Sequence, residues 1–373
     1  GVGLVGSEMC IRDRNYRELF TLLEPNGNAP LNAMLAMGSS EPTDDPEYKN
    51  FRDELPDRTM TVNGAVNSTS TASITIDAAD DNKFAIKGAI IINQTTGEVM
   101  QATADTTATT LAVTRNIGGT SHQIADNAVL FVAGYAAAEG ATSPTAITFD
   151  ATVTNNFTQI FRTAFQVSNT LASTYLRTGD KMDEAMTKAL KLHMSDIERA
   201  MFFGNKHEAS GSTASPTRYT GGLTNSLTNV VDLATSSSTY GGSSANNMTE
   251  EGLDKLLIYT VFKYGSKQKI AFVGETCAAL LQKIGKARWQ PTAIEGSYGI
   301  NLTQYSTFAG DLMVHLHPQF RQLAHMKTAM VIVDFPYLVY RYLEGRDTQL
   351  LENRQAVDAD SQKSEYLTEC GLE

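Results

Sequence analysis

The chain has 373 residues, a formal net charge of −11 and 42% hydrophobic residues. This length supports two or three compact units, and the apolar content is sufficient for a buried core. The basic residues are dispersed, which argues against specific nucleic-acid binding. No stretch approaches the roughly 20 apolar residues that cross a bilayer, and the three cysteines form neither a CxxC pair nor a disulfide framework, which suits a reducing compartment.

The first six residues, GVGLVG, fit the Gly-x-Gly-x-x-Gly pattern of dinucleotide-binding proteins. That pattern needs a buried strand before it and a helix after it, so that phosphates meet free backbone N–H groups. No strand pattern precedes Gly1 and a polar, charged segment follows Gly6, so we predict no nucleotide site. Residues 8–14, EMCIRDR, match the translation of a transposon end used in sequencing-library adapters. We interpret residues 1–14 as an adapter artefact and expect the native arm to begin near Asn15.

Two regions of contrasting composition follow. Residues 15–57 begin with a short amphipathic piece and continue through segments rich in Pro, Gly and acidic residues, which predicts an extended arm. Residues 58–134 are dominated by Thr, Val, Ile and Ala in short alternating runs, which predicts a small β-barrel or sandwich. Within it, Thr95-Thr96-Gly97 predicts a hairpin turn. Residues 135–150 are a small-residue linker, after which TFDATVTNNFTQIFRTAFQVS predicts extended strands.

Residues 180–204 carry the strongest helical pattern, because their apolar residues recur three and four positions apart. Acidic residues in the first turns favour its start and Gly204 favours its end. At about 1.5 Å per residue this helix is about 36 Å long. Residues 205–247 are rich in Gly, Ser and Thr and predict a long surface loop.

Alternating helix and strand patterns return after this loop. Thr249 is a capping candidate for a helix at EEGLDKLLIYTVFKYG, which precedes the strand QKIAFVG and the helix ETCAALLQKIGKA. A hairpin is predicted to turn near Gly310-Asp311, and AMVIVDF, YLVYRYLEG and KSEYLTEC predict further strands. We expect the native chain to continue beyond Glu373.

Two histidines are the only candidates for a metal site. His315 and His317 alternate along a predicted strand, so their side chains would share one face. His325 or Asp311 could add a ligand, but only two ligands are in evident register and structural sites use four. We therefore interpret these histidines as surface or interface residues.

Other reactive residue types have structural interpretations. His193 and Glu198 share the long helix without the His-Glu-x-x-His spacing of a metalloprotease, so we interpret His193 as a packing residue. Cys277 begins a helix, where a thiolate is stabilised, but no partner is evident and burial is favoured. Acids separate the basic residues of the long helix, which is typical of a solvated face; these residues are Lys181, Lys188, Lys191 and Arg199. We predict no catalytic, cofactor-binding or metal-binding residue and no enzyme activity.

The order of these segments resembles the major capsid proteins of tailed double-stranded-DNA phages, which have the HK-ninety-seven fold. The likeness is greatest to the subgroup with a β-domain inserted in the extended loop, and it covers residues 16–373. The segments that carry it are GEVMQATADTTATTLAVTRNIGGT, NNFTQIFRTAFQVSNT, DKMDEAMTKALKLHMSDIERAMFFG, TGGL and VDFPYLVYRYLEGRDTQLLENRQAVDADSQKSEYLTECGLE.

This resemblance implies an α+β fold with a long spine helix, an axial α/β domain and an extended loop that carries a small β-barrel. The implied divisions are an N-terminal arm (15–57), an extended loop with the β-rich insertion (58–150), a peripheral domain (151–248) with spine helix 180–204, an axial domain (249–350) and closing strands (351–373).

The resemblance also implies a non-enzymatic subunit that self-assembles as hexamers and pentamers into an icosahedral phage head. Assembly is expected in the host bacterial cytoplasm, with scaffold, portal and decoration proteins as partners and no membrane. The packaged DNA would be contacted nonspecifically at most. An acidic protein suits this role, because a basic inner surface of the shell would bind the DNA polyanion tightly. Some relatives form a covalent crosslink between a lysine and an asparagine. We predict no particular lysine and asparagine for such a crosslink in this sequence. The alternatives are an encapsulin-like nanocompartment shell and a phage decoration or fibre protein.

Overall fold

The computed structural model describes residues 29–37, 40–53, 58–77, 83–106, 109–147, 150–174, 180–209, 215–233, 240, 248–284 and 303–373. The predicted adapter segment 1–14 and the amphipathic piece after it lie outside the described residues. The chain divides into two compact units. We call residues 51–154 the barrel unit, and residues 1–50 with 155–373 the body.

The helices are α1 (Pro30–Met37), α2 (Asn169–Ser173), α3 (Lys181–Phe203), α4 (Leu223–Ser226), α5 (Glu250–Leu256) and α6 (Glu275–Ile284). The strands are β1 (Ser40–Thr43), β2 (Glu47–Arg52), β3 (Thr59–Thr61), β4 (Ser73–Thr75), β5 (Ala89–Asn93), β6 (Val99–Ala102), β7 (Thr110–Thr114), β8 (Val129–Tyr135), β9 (Thr152–Phe157), β10 (Gln159–Ser168), β11 (His207–Ala209), β12 (Thr217–Tyr219), β13 (Gln268–Val273), β14 (Thr303–Ser306), β15 (Asp311–Leu316), β16 (Met330–Val333), β17 (Tyr340–Leu343), β18 (Gln349–Leu351) and β19 (Ser361–Leu372). The element content confirms the α+β class.

The barrel unit is a closed antiparallel barrel. Its strand order is β3-β8-β5-β6-β7-β4, and every neighbouring pair is antiparallel. A bridge between Val62 and Ile76 joins the two ends of this order. The Asn63 N–H donates to Thr75 O at 2.9 Å, and the Asp77 N–H donates to Thr61 O at 2.9 Å. The ring of strands is therefore complete. Of the two predicted alternatives, the structure has the barrel and not the sandwich.

Alternation along these strands places one set of side chains inside the barrel. Ile91, Met100 and Leu111 are fully buried, and they belong to one apolar core. The predicted turn between β5 and β6 is confirmed. Gly97 has a φ of 72°, a backbone conformation that favours glycine, and Asn93 Oδ1 accepts a hydrogen bond from the Thr95 N–H at 2.9 Å.

Helix α3 is the longest described helix of the body and confirms the strongest sequence prediction. The carboxylate of its N-cap, Asp180, accepts a hydrogen bond from the Met182 N–H at 2.8 Å, and Gly204 is its C-cap. The buried face includes Ile197, Met201 and Phe202, which contribute to the main core of the body.

The last described strand is central to the larger body sheet. β19 pairs antiparallel with β10 from Gln159↔Cys370 to Ser168↔Ser361, and also with β17 and β18. β1 adds to β17 as a parallel edge strand. This sheet therefore joins segments from widely separated parts of the chain.

The second body sheet forms the α/β unit. Its order is β14-β15-β13-β16, with β13 and β15 parallel. The predicted turn near Gly310 is confirmed, because the Thr307 N–H and hydroxyl donate to Gly310 O at 2.9 and 2.8 Å. Helix α5 continues as a π-helical turn at Leu257–Val261, and α6 buries Cys277 and Leu281.

The prediction of one long loop over residues 205–247 is wrong for its described parts. β11 and β12 pair antiparallel from His207↔Tyr219 to Ala209↔Thr217, and α4 follows them. These elements are only three and four residues long, too short to produce a recognisable period in a segment rich in Gly, Ser and Thr.

Candidate functional site

The two histidines predicted to share a strand face both lie beside Phe272, with ring centroids 6.2 Å (His315) and 5.8 Å (His317) from its own. β15 ends at Leu316, but His317 keeps an extended backbone and its N–H donates to Val273 O at 3.0 Å. The His317 side chain also caps a 3₁₀-helix at Pro318–Gln322. Proline lacks an N–H for a sheet ladder, so the strand ends before it. His317 is fully buried, whereas His315 is only partly buried. The prediction of a shared face is therefore confirmed, whereas the interpretation of these histidines as surface or interface residues is wrong for His317, which is enclosed in the core.

Both ring nitrogens of His317 have protein partners. Nδ1 accepts a hydrogen bond from the Gln319 N–H at 3.2 Å, and Nε2 lies 2.8 Å from Glu198 Oε1. Because Nδ1 accepts, the proton is on Nε2 and the ring is neutral. Neither nitrogen is open to a metal, and within the described ranges no group of three or more His, Cys, Asp or Glu could hold one.

Glu198 is the centre of a buried polar junction in the body. It lies on α3 and is fully buried. Its Oε1 accepts hydrogen bonds from the Leu31 N–H at 2.9 Å and from His317 Nε2–H at 2.8 Å. Its Oε2 accepts from the Asn32 N–H at 2.8 Å. We call Leu31, Asn32, Glu198 and His317 the Glu198 junction.

The junction fastens the first described helix, α1, to α3 within the body. The carboxylate receives the free N–H groups at the N-terminus of α1, where the helix dipole favours a negative charge. Leu31, Met34 and Leu35 of α1 are buried in the main core. Helix α1 is therefore held in place both by apolar packing and by hydrogen bonds to a buried acid.

Aromatic rings enclose His317 in this junction. The Phe202 and Phe320 ring centroids lie 4.6 and 4.5 Å from that of His317. Beside it, Gln319 Nε2 donates to Ser195 Oγ at 2.9 Å. The carboxylate and the imidazole are satisfied by protein donors and acceptors inside an apolar wall, so the arrangement joins elements of the body.

His193 forms a second polar tie between α3 and the larger sheet. Its Nδ1 lies 3.0 Å from Thr163 Oγ1 on β10, and its Nε2 lies 2.8 Å from Thr368 Oγ1 on β19. The ring is fully buried. Burial lowers its pKa, and the nearby carboxylate of Asp196 only partly opposes this effect. The interpretation of His193 as a packing residue is confirmed.

The remaining reactive candidates are also structural. Burial raises the pKa of the Cys277 thiol to about 11 and that of Cys370 to about 12, so neither is a thiolate near neutral pH. On α3, Glu184 pairs with Lys181 at 2.7 Å and also with Lys188. These ions are partly exposed, which confirms the prediction of a solvated face.

A buried ion pair is also present in the barrel unit. Arg115 Nε and Nη2 donate to the two carboxylate oxygens of Glu98 at 2.7 and 2.6 Å, and the His122 N–H donates to Glu98 Oε2 at 2.9 Å. Burial opposes ionisation of Glu98, but the hydrogen bonds from Arg115 and His122 outweigh it and lower the pKa of this carboxyl.

Sequence reasoning named Glu198 only to reject a metalloprotease motif and missed its structural role. The helical spacing around Glu198 did contain a signal for its burial. Glu198 lies four residues after Met194 and three before Met201, which places an acid on the apolar face of α3. A buried acid needs donors, but its partners are 119 to 167 residues away in the chain.

Three comparisons relate this chain to known proteins. The family model described as SU10 major capsid protein matches residues 4–373. The major capsid protein of Pseudomonas phage PaMx41 is 28% identical over 337 residues, which cover 87% of this chain and 78% of that protein. No described helix is long and apolar enough to span a membrane.

Solved structures align over nearly the whole chain at low identity. The holo-SrpI encapsulin complex from Synechococcus elongatus aligns with a TM-score of 0.46 and 9% identity, covering 98% of this chain and 90% of that chain. A chain from Mycobacterium phage Cain aligns with a TM-score of 0.44 and 7% identity, covering 100% of this chain and 92% of that one.

Proposed function

This chain belongs to the SU10 major capsid protein family, and from that premise we propose that many copies of it assemble into the icosahedral head of a tailed phage. The observation that carries the proposal is the family match over residues 4–373, which includes both the barrel unit and the body. The protein is a phage capsid subunit and a component of the virion. Its copies associate as hexamers and pentamers, and assembly takes place in the host cytoplasm.

We assign the divisions of the chain by their expected roles in the shell. Residues 15–57 are the N-terminal arm, 58–150 the extended loop with its barrel, 151–248 the peripheral domain, 249–350 the axial domain and 351–373 the closing strands. The limits of the barrel unit, 51–154, support the second division. The position of α3 supports a spine helix in the third.

The chemistry of the described residues supports a structural role without enzyme activity. The buried acids and histidines that could act in catalysis are used in hydrogen bonds between elements, as at Glu198, His193 and Glu98. The net charge of −11 supports nonspecific contact with packaged DNA at most. Scaffold, portal and decoration proteins are the partners of such a shell.

The two alternatives have less support. The matching family is that of a phage major capsid protein and not of a cargo compartment. The 23-residue helix α3 and the α/β unit are not expected of a mainly β decoration or fibre protein. Neighbouring portal and terminase genes would distinguish a phage head from a compartment.

Sedimentation velocity of the full chain tests the proposal. Over a wide concentration series we expect capsomer-sized species and particles in the megadalton range, because each subunit makes several linked contacts. A protein that stays monomeric at every concentration, with a folded circular dichroism spectrum, would overturn the proposed function.

A further inference from the structure

The outer surface of the barrel is divided into two halves of different chemistry. On β3, β4 and β7 the outward side chains are small and mostly polar, and we call them the polar half: Thr59, Thr61, Ser73, Thr75, Thr110, Ala112 and Thr114. On β8, β5 and β6 they are mostly large and apolar. We call the apolar half the residues Ile90, Ile92, Val99, Phe131 and Tyr135 of these strands together with Ile117, which follows β7.

Strand register makes the centre of the apolar half continuous, whereas Ile90 at its end is paired with Gly134 and Gln101. Ile92 is paired with Phe131 on one side and with Val99 on the other. Directly paired residues on one face of a sheet are in side-chain contact. The Ile117 N–H donates to Val99 O at 2.9 Å, which extends the row. Phe131, Tyr135 and Ile117 are 40%, 42% and 44% exposed.

Closure of the barrel does not explain these outward side chains. The barrel core is formed by the opposite set of residues, which includes Ile91, Met100 and Leu130. The other half of the same barrel shows that threonine serves equally well on the outside of these strands. A continuous apolar area on an exterior surface is typical of an interface.

We propose that the apolar half of the barrel binds a second copy of this chain. The proposal rests on the proposed function, which supplies many identical copies. Each copy carries a net charge of −11, so contacts through charged surfaces bring like charges together. The six residues of the apolar half include no acid or base other than Tyr135, whose hydroxyl donates to Phe84 O at 2.9 Å. This surface therefore lets acidic copies meet without placing charged groups opposite each other.

Site-specific photocrosslinking identifies the occupant directly. The photoreactive residue p-benzoylphenylalanine would replace Phe131 in one full-length protein and Thr114, an exposed position in the polar half, in a matched control. In assembled particles we expect covalent dimers from position 131 and few or none from position 114. Only intrachain crosslinks at position 131, or equal dimer yields from the two positions, would overturn the proposal.

A substitution gives an independent measurement. Phe131→Gln should raise the concentration needed for assembly by about tenfold or more, as expected for an aromatic anchor in an interface. Thr114→Gln should leave it unchanged. Thermal melts verify that both variants keep the barrel. If Phe131→Gln assembles as the parent protein does, this inference fails while the proposed function stands. If the parent protein itself does not assemble, both fail.

Discussion

The barrel unit and the body hold their strands together in different ways. Every barrel pair lies within residues 59–135, and the strands close on an apolar core. The larger body sheet instead joins β1, β10, β17 and β19, and a fully buried acid, Glu198, fastens α1 to α3. The barrel is thus self-contained, whereas the body depends on distant segments meeting. We expect the two units to unfold in separate transitions, each sensitive to its own substitutions.

The largest expected effect is that of Glu198→Ala on the body transition. Two buried donors and one partly buried donor would lose their acceptor, at about 1–3 kcal/mol each. We predict a loss of about 4–6 kcal/mol in the free energy of unfolding of the body and no change in the barrel transition. Urea unfolding monitored by circular dichroism measures both.

Glu184→Gln is the matched control, because Glu184 is an acid on the same helix that pairs with partly exposed lysines. Its body transition should be the same as that of the parent protein. Equal effects of Glu198→Ala and Glu184→Gln would contradict the structural role of the Glu198 junction.

The second largest effect is expected for Arg115→Met, and it should destabilise the barrel transition alone. Arg115→Met would leave the buried Glu98 carboxylate with the His122 N–H but without its counter-ion. We predict a loss of about 3–4 kcal/mol in the barrel transition, near the lower end for breaking a buried pair. A shift of the body transition by the same amount would show that the units are not independent.

The same variant has a defined pH dependence. The pKa of Glu98 is lower in the folded barrel than its ordinary value, so the contribution of the pair is complete above the unfolded pKa and is lost as pH falls through the folded pKa. The stability difference between the parent protein and Arg115→Met should therefore be largest near neutral pH and shrink below about pH 4. A difference that grows on acidification would contradict the assigned role of this pair.

The smallest expected effect is that of Asp180→Ala. This change removes the side chain that caps α3 by accepting from the Met182 N–H. Loss of such a cap costs about 1 kcal/mol, and the loss should appear only in the body transition. Asp180→Asn, which retains an accepting oxygen, should restore most of it in the same denaturation experiment.

Local patterns account for what the sequence predicted well. The strands of the barrel, helix α3 and its caps, and the hairpin turns at Gly97 and Gly310 depend on residues near one another in the chain. Their periodicity and turn chemistry are therefore visible in sequence.

Tertiary contacts account for what the sequence could not predict. The partners of Glu198 are 119 to 167 residues away. The central position of β19 depends on pairing with three other strands. The burial of His317 depends on Glu198 and Phe202, which are distant in the chain, and β11, β12 and α4 were too short to produce a period. The apolar half of the barrel also became visible only when register placed its residues side by side.

Cryo-electron microscopy of particles formed by the full-length chain tests the central claim most directly. We predict closed icosahedral shells of hexamers and pentamers made of this one chain, with the six-stranded barrel as a recognisable feature of every subunit. Open aggregates, or a small discrete oligomer without icosahedral symmetry under all assembly conditions, would contradict the assignment of this protein as the subunit that builds the head.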